Sequence, residues 1–379
     1  MASDSNDVEE TRRLLRDSVE AFVAREGGIG RARACRDTPN GYDRDVWRRM
    51  AENGWLGLLL PEQVGGLGLG LGEMTVVAET LGRALAPEPV VPAVVLAGGV
   101  LGHGDNADLR ATLLAGLIGG DILPALAWQE TANEYDPERI ETRAVADAGG
   151  VVLKGVKRFI PAAGGADGFI VSALGPDGLA LYWIDAGAEG LELSLDTSVD
   201  GVGFGTLALD GVAVAGDRVV VADGAAAIIN RAVDEARLCA AAALVGVMGQ
   251  ALDNTLDFVK QREQFGRPIG KFQALQHRLV DLWIQRELSR DSMAKAARCC
   301  DETGDPTRRA AAVSAAKARC GDAGMLICRQ AIQLHGGIGY TDEFDIGLFL
   351  KRALVLSAWL GNAAMHRARF GRLAPDLAA

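Results

Sequence analysis

The chain has 379 residues, 49% of them hydrophobic, 23% charged and 48 of them glycine. That is enough for two or three domains around a large core, and too apolar for a disordered protein. The 50 acidic and 39 basic side chains leave a formal charge of −11, the wrong sign for a chain that coats nucleic acid.

The opening residues, MASDSNDVEE, are acidic and polar and read as neither a secretory signal nor a transit peptide. Leu14, Leu15, Val19, Phe22 and Val23 fall at helical spacing and predict a helix over Val8–Glu26. A second helix is predicted over Tyr42–Asn53, stopped by Gly54, and a third over Glu73–Leu85. The stretch before the third, Gly65–Gly72, reads GGLGLGLG. No β-branched strand precedes it and its spacing is not GxGxxG, so it is a turn and not a dinucleotide cradle. The longest apolar run, Pro89–Gly102, is broken by Pro92 and falls short of the roughly 20 residues that cross a bilayer. A soluble protein with no membrane partner is expected.

From about residue 121 the period changes. Val151–Ile160, Phe169–Leu174, Leu179–Ile184, Leu191–Leu195, Thr206–Leu209 and Arg218–Val221 are short, β-rich and separated by Gly, Asp or Pro. This predicts an antiparallel sandwich or barrel and not a Rossmann domain. Beyond about residue 225 long helices return, with Leu238, Ala242, Val245, Gly249, Leu252, Leu256 and Val259 on one face. Leu275, Leu279, Leu282, Ala311, Ala315 and Ala318 continue the pattern, and four helices fit the length with a turn at Asp301–Pro306. The fold class is α+β and mainly helical. A helical domain over 1–120 and a β domain over 121–222 precede a four-helix bundle over 223–379, where Ala and Gly permit close helix contact. Cysteines 35, 239, 299, 300, 320 and 328 form no CxxC pair, and His103, His277, His335 and His366 have no metal-ligating spacing. Free thiols in a reducing cytoplasm are expected, with no metal site.

Two segments of the bundle carry chemistry. In Arg262-Glu263-Gln264-Phe265-Gly266-Arg267-Pro268-Ile269-Gly270, followed by Phe272, Gln273 and Gln276, an arginine stands beside an aromatic ring at a tight turn. That arrangement can grip an anion bidentately. In Gln333-Leu334-His335-Gly336-Gly337-Ile338-Gly339-Tyr340, three glycines let the backbone approach a ligand and offer N–H groups to phosphate oxygens. His335, inside this loop, is read as fixing its backbone. Arg367 and Arg369 are read as a solvated helix end.

Together these segments resemble the flavin-dependent acyl-CoA dehydrogenases, over nearly the whole chain. Gly54-Trp55-Leu56-Gly57 leading to Pro61-Glu62-Gln63-Val64-Gly65-Gly66, and Leu153-Lys154-Gly155-Val156-Lys157-Arg158-Phe159, add to the likeness. The resemblance implies FAD as cofactor and an acyl-CoA thioester as substrate. It implies that Arg262, Phe265, Gln273, Gln333, Gly336 and Gly337 contact the pyrophosphate and adenosine half of a neighbouring subunit's flavin. The state it implies is a dimer or a dimer of dimers, passing electrons to an electron-transfer flavoprotein or similar acceptor.

In this family a desolvated carboxylate removes the α-proton while the β-hydrogen leaves as hydride to the flavin. The commoner base stands in a Tyr-Glu-Gly-Thr segment, matched here by Trp359-Leu360-Gly361-Asn362, with leucine in the glutamate's place. The alternative base stands just before an arginine, and the match there is Ala236 before Arg237. Between Ala236 and Gln261 the only acids are Asp253 and Asp257. Glu235 is the one catalytic candidate, but a helix turns about 100° per residue and points it away from where Ala236 faces. It is read as an ordinary solvated acid. The β domain departs too: Trp128-Gln129-Glu130-Thr131-Ala132-Asn133-Glu134 replaces the Thr-Glu-Pro…Gly-Ser-Asp segment. Phe159-Ile160-Pro161 replaces Trp-Ile-Thr, and proline brings neither N–H nor hydroxyl.

The contacts to a chain's own flavin ring are weakened while those lent to a neighbour are kept. Some actinobacterial members, in steroid and lipid side-chain catabolism, resemble α2β2 assemblies in which one chain brings the base and the other completes the cofactor site. This sequence resembles the second kind. The rival readings are a self-sufficient homo-oligomeric dehydrogenase with an atypical base, and a non-enzymatic scaffold of the same fold.

Overall fold

The computed structural model describes residues 2–36, 38 and 40–374; Met1, Asp37, Pro39 and the last five residues lie outside it. Six helices precede the first strand: α1 (Ala2–Arg25), α2 (Gly30–Arg36), α3 (Arg44–Glu52), α4 (Leu71–Arg83), α5 (Gly98–Gly102) and α6 (Ala107–Gly119). Local chemistry sets their ends. The Asp43 carboxylate accepts from the N–H groups of Asp45 and Val46 to start α3, and Gly54, at φ +78°, follows its end. In the apolar run that starts at Pro89, a π-helical stretch, Val91–Ala97, leads into α5, with Pro92 in its first turn.

Eight strands follow: β1 (Pro124–Ala127), β2 (Arg143–Asp147), β3 (Gly150–Pro161), β4 (Gly168–Gly175), β5 (Gly178–Asp185), β6 (Leu191–Thr197), β7 (Gly203–Ala215) and β8 (Val219–Val221). They form one sheet in the order β6-β7-β3-β2-β4-β5-β8, with β1 beside β4. The pairings are antiparallel as expected, except that β1 runs parallel to β4 and β2 meets β4 in parallel at Arg143 and Leu174. Leu153, Phe169, Val171, Leu207 and Val212 lie at the centre of its core.

The last part holds α7 (Ala225–Gln261), a hairpin of β9 (Glu263–Gln264) and β10 (Arg267–Pro268), α8 (Gln273–Glu302), α9 (Pro306–His335), α10 (Ile346–Ala358) and α11 (Ala363–Leu373). Where four bundle helices fit the length, the fourth is broken in two at Trp359–Asn362, and both halves pack on α9. Gly246 of α7 lies on the backbone of Glu79 and Arg83, and Gly82 of α4 on that of Ala243, so a Cβ at either would strike main chain. At the far end of α8, Asp301 accepts the N–H groups of Leu71 (2.8 Å) and Gly72 (3.0 Å) and caps α4.

The chain forms two compact units. One takes residues up to Arg33, Leu71–Ala86 and Arg237 onward; the other takes Ala34–Gly70 and Pro87–Ala236 and holds the whole β1–β8 sheet.

Candidate functional site

In the helical unit, the end of α7 and the end of α9 come together. The Phe258 ring, four residues before Arg262, stacks on His335 with centroids 4.3 Å apart, and Phe344 packs against both, 5.1 Å from the imidazole and edge-on to Phe258 at 6.3 Å. His335 is buried; its Nδ1–H donates to the Ala331 carbonyl at 2.7 Å, while Nε2 has no partner. Burial lowers its pKa, so the ring is neutral and acts as a packed wedge under the glycine loop. Its contact with Phe258 is one that sequence spacing did not reveal.

Past α7 the chain reverses through the β9–β10 hairpin. Phe265 and Gly266 form its two-residue loop at φ +54° and +76°, the left-handed pair of a type I′ turn. The turn holds Phe265 out at 92% exposure, edge-on to Phe272, whose other contact is the Arg267 guanidinium 4.3 Å from its centroid. Arg262 and Gln273 flank the hairpin and are exposed. On the α9 side Gln333, Gly336 and Gly337 are exposed too. Gly336 has φ +66° and ψ −142°, a region open to glycine alone, and a Cβ on Gly336 or Gly337 would meet no atom within 4 Å. A guanidinium, a bare aromatic face and open glycine backbone at one end of one bundle fit a flat anionic nucleotide such as FAD.

Leu360 lies elsewhere in this unit, in the α10–α11 connection, at φ +57° and 2% exposure. Three helices clamp that connection. Arg237 of α7 donates to the Leu360 carbonyl at 2.9 Å, and Lys317 of α9 donates to the carbonyls of Leu356, Ser357 and Gly361 at 2.8, 3.2 and 3.1 Å. His366 of α11 donates from Nε2 to Leu360 at 3.2 Å, which leaves Nδ1 to accept from the Ser314 hydroxyl at 3.4 Å. Burial, with Arg237 adding repulsion, lowers Lys317 to about 7 and His366 to about 2. Arg369 bonds Ser314 and the Ala310 carbonyl, so it is not the freely solvated helix end expected; Arg367 pairs with Asp322 at 2.5 Å.

In the β unit, Glu235 is not a solvated acid. It is 8% exposed, its carboxylate accepts Arg231 Nε at 2.9 Å, and it lies beside Gly99 of α5. Its neighbour Ala236 is fully buried. Asp253, in the helical unit, is taken by Arg83 (2.9 Å) and Arg286 (3.3 Å). Each of these carboxylates is already held by a guanidinium.

The β unit holds one further polar centre. Lys157, fully buried, donates to Glu130 Oε1 at 2.8 Å and to Ser172 Oγ at 2.9 Å. Glu130 also accepts the Thr142 hydroxyl (2.5 Å) and N–H (3.0 Å) and the Glu141 N–H (2.5 Å). Burial would raise the Glu130 pKa, but Lys157 and these donors outweigh it and hold the carboxyl below its usual range. Burial brings Lys157 down to about 8 against the pull of Glu130. Beside this pair runs a polar groove of about 800 Å³, lined by Glu130, Glu134, Glu138, Arg139, Gly155 and Arg158. Within β3, Phe159 takes φ +56°, where the register with β7 shifts between Lys157 and Ile160. Period two along β3 could have found Lys157, since it shares the inward face of Leu153. Among the described residues no cluster of His, Cys, Asp and Glu could hold a metal.

Comparison with known proteins gives this arrangement its context. Residues 9–121 match the acyl-CoA dehydrogenase N-terminal domain, and residues 222–374 match the acyl-CoA dehydrogenase C-terminal domain. A mitochondrial isovaleryl-CoA dehydrogenase of Solanum tuberosum is 30% identical over 96% of this chain and 90% of its own. The chain belongs to the acyl-CoA dehydrogenase family. Acyl-CoA dehydrogenases carry FAD. The acyl-CoA dehydrogenase IpdE2 of Mycobacterium tuberculosis is also 30% identical, over 91% of both chains. Among solved structures, a variant of the Tcur3481-Tcur3483 steroid ACAD superposes with a TM-score of 0.87 at 33% identity, covering 98% of this chain and 99% of that one. The ChsE4-ChsE5 complex from Mycobacterium tuberculosis gives 0.86 at 27% identity, covering 96% of each. Among the described residues, no helix is long and apolar enough to cross a membrane.

Proposed function

We propose that this chain is the subunit of a heteromeric, FAD-dependent acyl-CoA dehydrogenase that lacks the catalytic glutamate and completes the cofactor site of a homologous partner. The observation that carries this reading is Leu360. It stands, left-handed and clamped, where the family's resemblance places the base, and the second base position is Ala236. Neither side chain can accept a proton. The six groups assigned to FAD by resemblance are all exposed, which suits lending them to another chain. The two solved structures above are described as two-component assemblies.

In this reading FAD, when bound, would supply the hydride acceptor for the acyl thioester. Arg262 would neutralise its pyrophosphate, Phe265 and the Gly336–Gly337 backbone would border its adenosine half, and Gln333 and Gln273 would offer amides. The partner brings the carboxylate, a steroid- or fatty-acid-derived acyl-CoA is the substrate class, and a flavoprotein of the electron-transfer type takes the electrons in the cytoplasm. The self-sufficient alternative requires Glu235 to leave Arg231 and turn over as a base; Glu235→Gln would then abolish turnover with FAD retained.

The test is expression of the chain alone and together with a homologous dehydrogenase chain from its gene neighbourhood. Alone, the protein is expected to be colourless and inactive on acyl-CoA esters; together, the pair shows the flavin band and turnover. A yellow, active preparation of the single chain overturns the proposal.

A further inference from the structure

The two nucleotide-facing segments of the bundle end meet through the ring of His335. On the hairpin side, the Phe258 carbonyl accepts the Arg262 N–H at 2.8 Å, and the Arg262 carbonyl accepts the Ile269 N–H at 2.8 Å. A continuous run of hydrogen bonds thus carries the position of Phe258 through Arg262 to the far end of the hairpin. On the other side, His335 is the last residue of α9 and stands directly before Gly336. The stack of Phe258 on His335 joins the two.

The contact is held from outside as well. The glycine loop folds back onto the histidine: a Cβ on Gly339 would come within 2.8 Å of the Ile332 carbonyl and 3.1 Å of His335 Cβ, so only glycine lets the loop lie this close. Phe344, which packs against both rings, is tethered through its neighbours. Arg33 of α2 donates from Nε to Asp345 at 2.9 Å and lies 3.6 Å from Asp342, and Lys351 of α10 lies 3.8 Å from the same Asp342. The imidazole is tied at Nδ1 to the Ala331 carbonyl, which fixes its plane. Its Nε2 is buried and makes no hydrogen bond, so what the ring offers its neighbours is its flat faces.

We infer that His335 is a positioning residue of the cofactor site, holding the Arg262–Phe265 hairpin and the Gly336–Gly337 loop at one fixed separation. The inference rests on the reading of those two segments as flavin contacts, and adds the element that registers one against the other. Segments spaced in advance have less freedom to lose when a ligand spans them. In the chain alone, without flavin, His335→Ala should speed hydrogen exchange about tenfold or more at two hydrogen-bonded amides, Ile269 of the hairpin side and Thr341 of the loop side, and leave β4 unchanged. Acceleration at Thr341 without Ile269 overturns the coupling. Should His335→Ala fail to fold, Phe344→Leu, which removes one wall of the stack and keeps the histidine, should speed the same two amides. In the co-expressed assembly, stripped of flavin and titrated with FAD, Arg262→Ala and His335→Ala should each weaken binding about tenfold or more. His335→Phe, which keeps a flat ring between the same walls, should stay within about threefold of wild type. Unchanged affinity in His335→Ala where Arg262→Ala is impaired, or no rescue by His335→Phe, overturns the inference and leaves the cofactor reading standing. Unchanged affinity in Arg262→Ala instead overturns the cofactor reading, and with it this role of His335.

Discussion

Replacing Glu130 by Gln keeps the shape of the buried centre in the β unit and removes the carboxylate that pairs with Lys157. The wild-type shift of Lys157 from 10.5 to about 8 corresponds to roughly 3 kcal/mol against the ammonium at about 1.4 kcal/mol per unit, with Glu130 still helping. Taking that helper away leaves a fully buried cation against Ser172 and an amide, at a cost of about 3–5 kcal/mol. Because the chain forms two compact units, a single global unfolding energy is a poor gauge. Hydrogen exchange at the amides of β3 and β4 reads the site directly. Glu130→Gln should speed their exchange about 100-fold at neutral pH, the factor that roughly 3 kcal/mol allows. The dependence on pH has a definite sign. Between about 8 and 10.5 the unfolded chain holds the Lys157 proton and the folded chain does not, so this group's share of stability rises with pH. In the variant the folded-state pKa falls further, and the excess exchange should shrink as the ammonium is allowed to discharge. Adding Lys157→Met should recover most of the loss. An excess under about threefold, one independent of pH after correction for intrinsic exchange, or no recovery in the double variant would each refute the electrostatic account.

Other consequences follow from the same geometry. Arg262→Ala and Phe265→Ala touch exposed positions and should leave the melting curve unchanged, yet cut FAD retention by the co-expressed assembly about tenfold or more by titration. Asp301→Ala strips the N-terminus of α4 of both its side-chain acceptors and should cost about 1–2 kcal/mol, measured by urea unfolding of the helical signal. His366 is neutral when folded, with its pKa lowered from 6.5 to about 2. The unfolded chain therefore binds the extra proton below 6.5, so stability should fall steadily as pH drops from there, and His366→Asn should flatten that acid limb of the melting profile.

Much of the fold is legible because burial imposes period. The six short β-rich runs all fall on strands, though β7 runs six residues beyond its expected end at Leu209; α3 and α4 lie close to their expected bounds, while α1 starts six residues before the expected Val8. What escaped had no period to show. β1 is buried at all four positions, β2 is exposed except at Ala144, and the helices after Pro89 pass through a π-helical stretch that blurs the 3.6 spacing. The nucleotide motifs are legible as local runs, since Gly336 and the Phe265–Gly266 turn need their residues for backbone reasons. The stacking of Phe258 on His335 joins positions 77 apart in sequence and only the folded bundle shows it. The same holds for Glu130 and Lys157: Glu130 accepts from Thr142 and Lys157, and Lys157 also donates to Ser172, groups that come from separate strands or loops.

The α10–α11 connection is where fold and chemistry part company. A leucine in the left-handed region is strained by about 1 kcal/mol or more, and here the strain is held by Arg237, Lys317 and His366, drawn from three helices. Two of those three groups carry pKa values pulled far down by burial, so the clamp is itself an expensive piece of interior. Packing alone does not call for it: a leucine can be buried on any helix without a left-handed backbone and a ring of donors on its carbonyls. The arrangement is intelligible as the mounting of a side chain whose direction mattered. With leucine on that mount, the rigidity remains without a proton acceptor at this position. Under the heteromeric proposal the carboxylate is therefore to be sought on a partner chain and not in a rearrangement of this one.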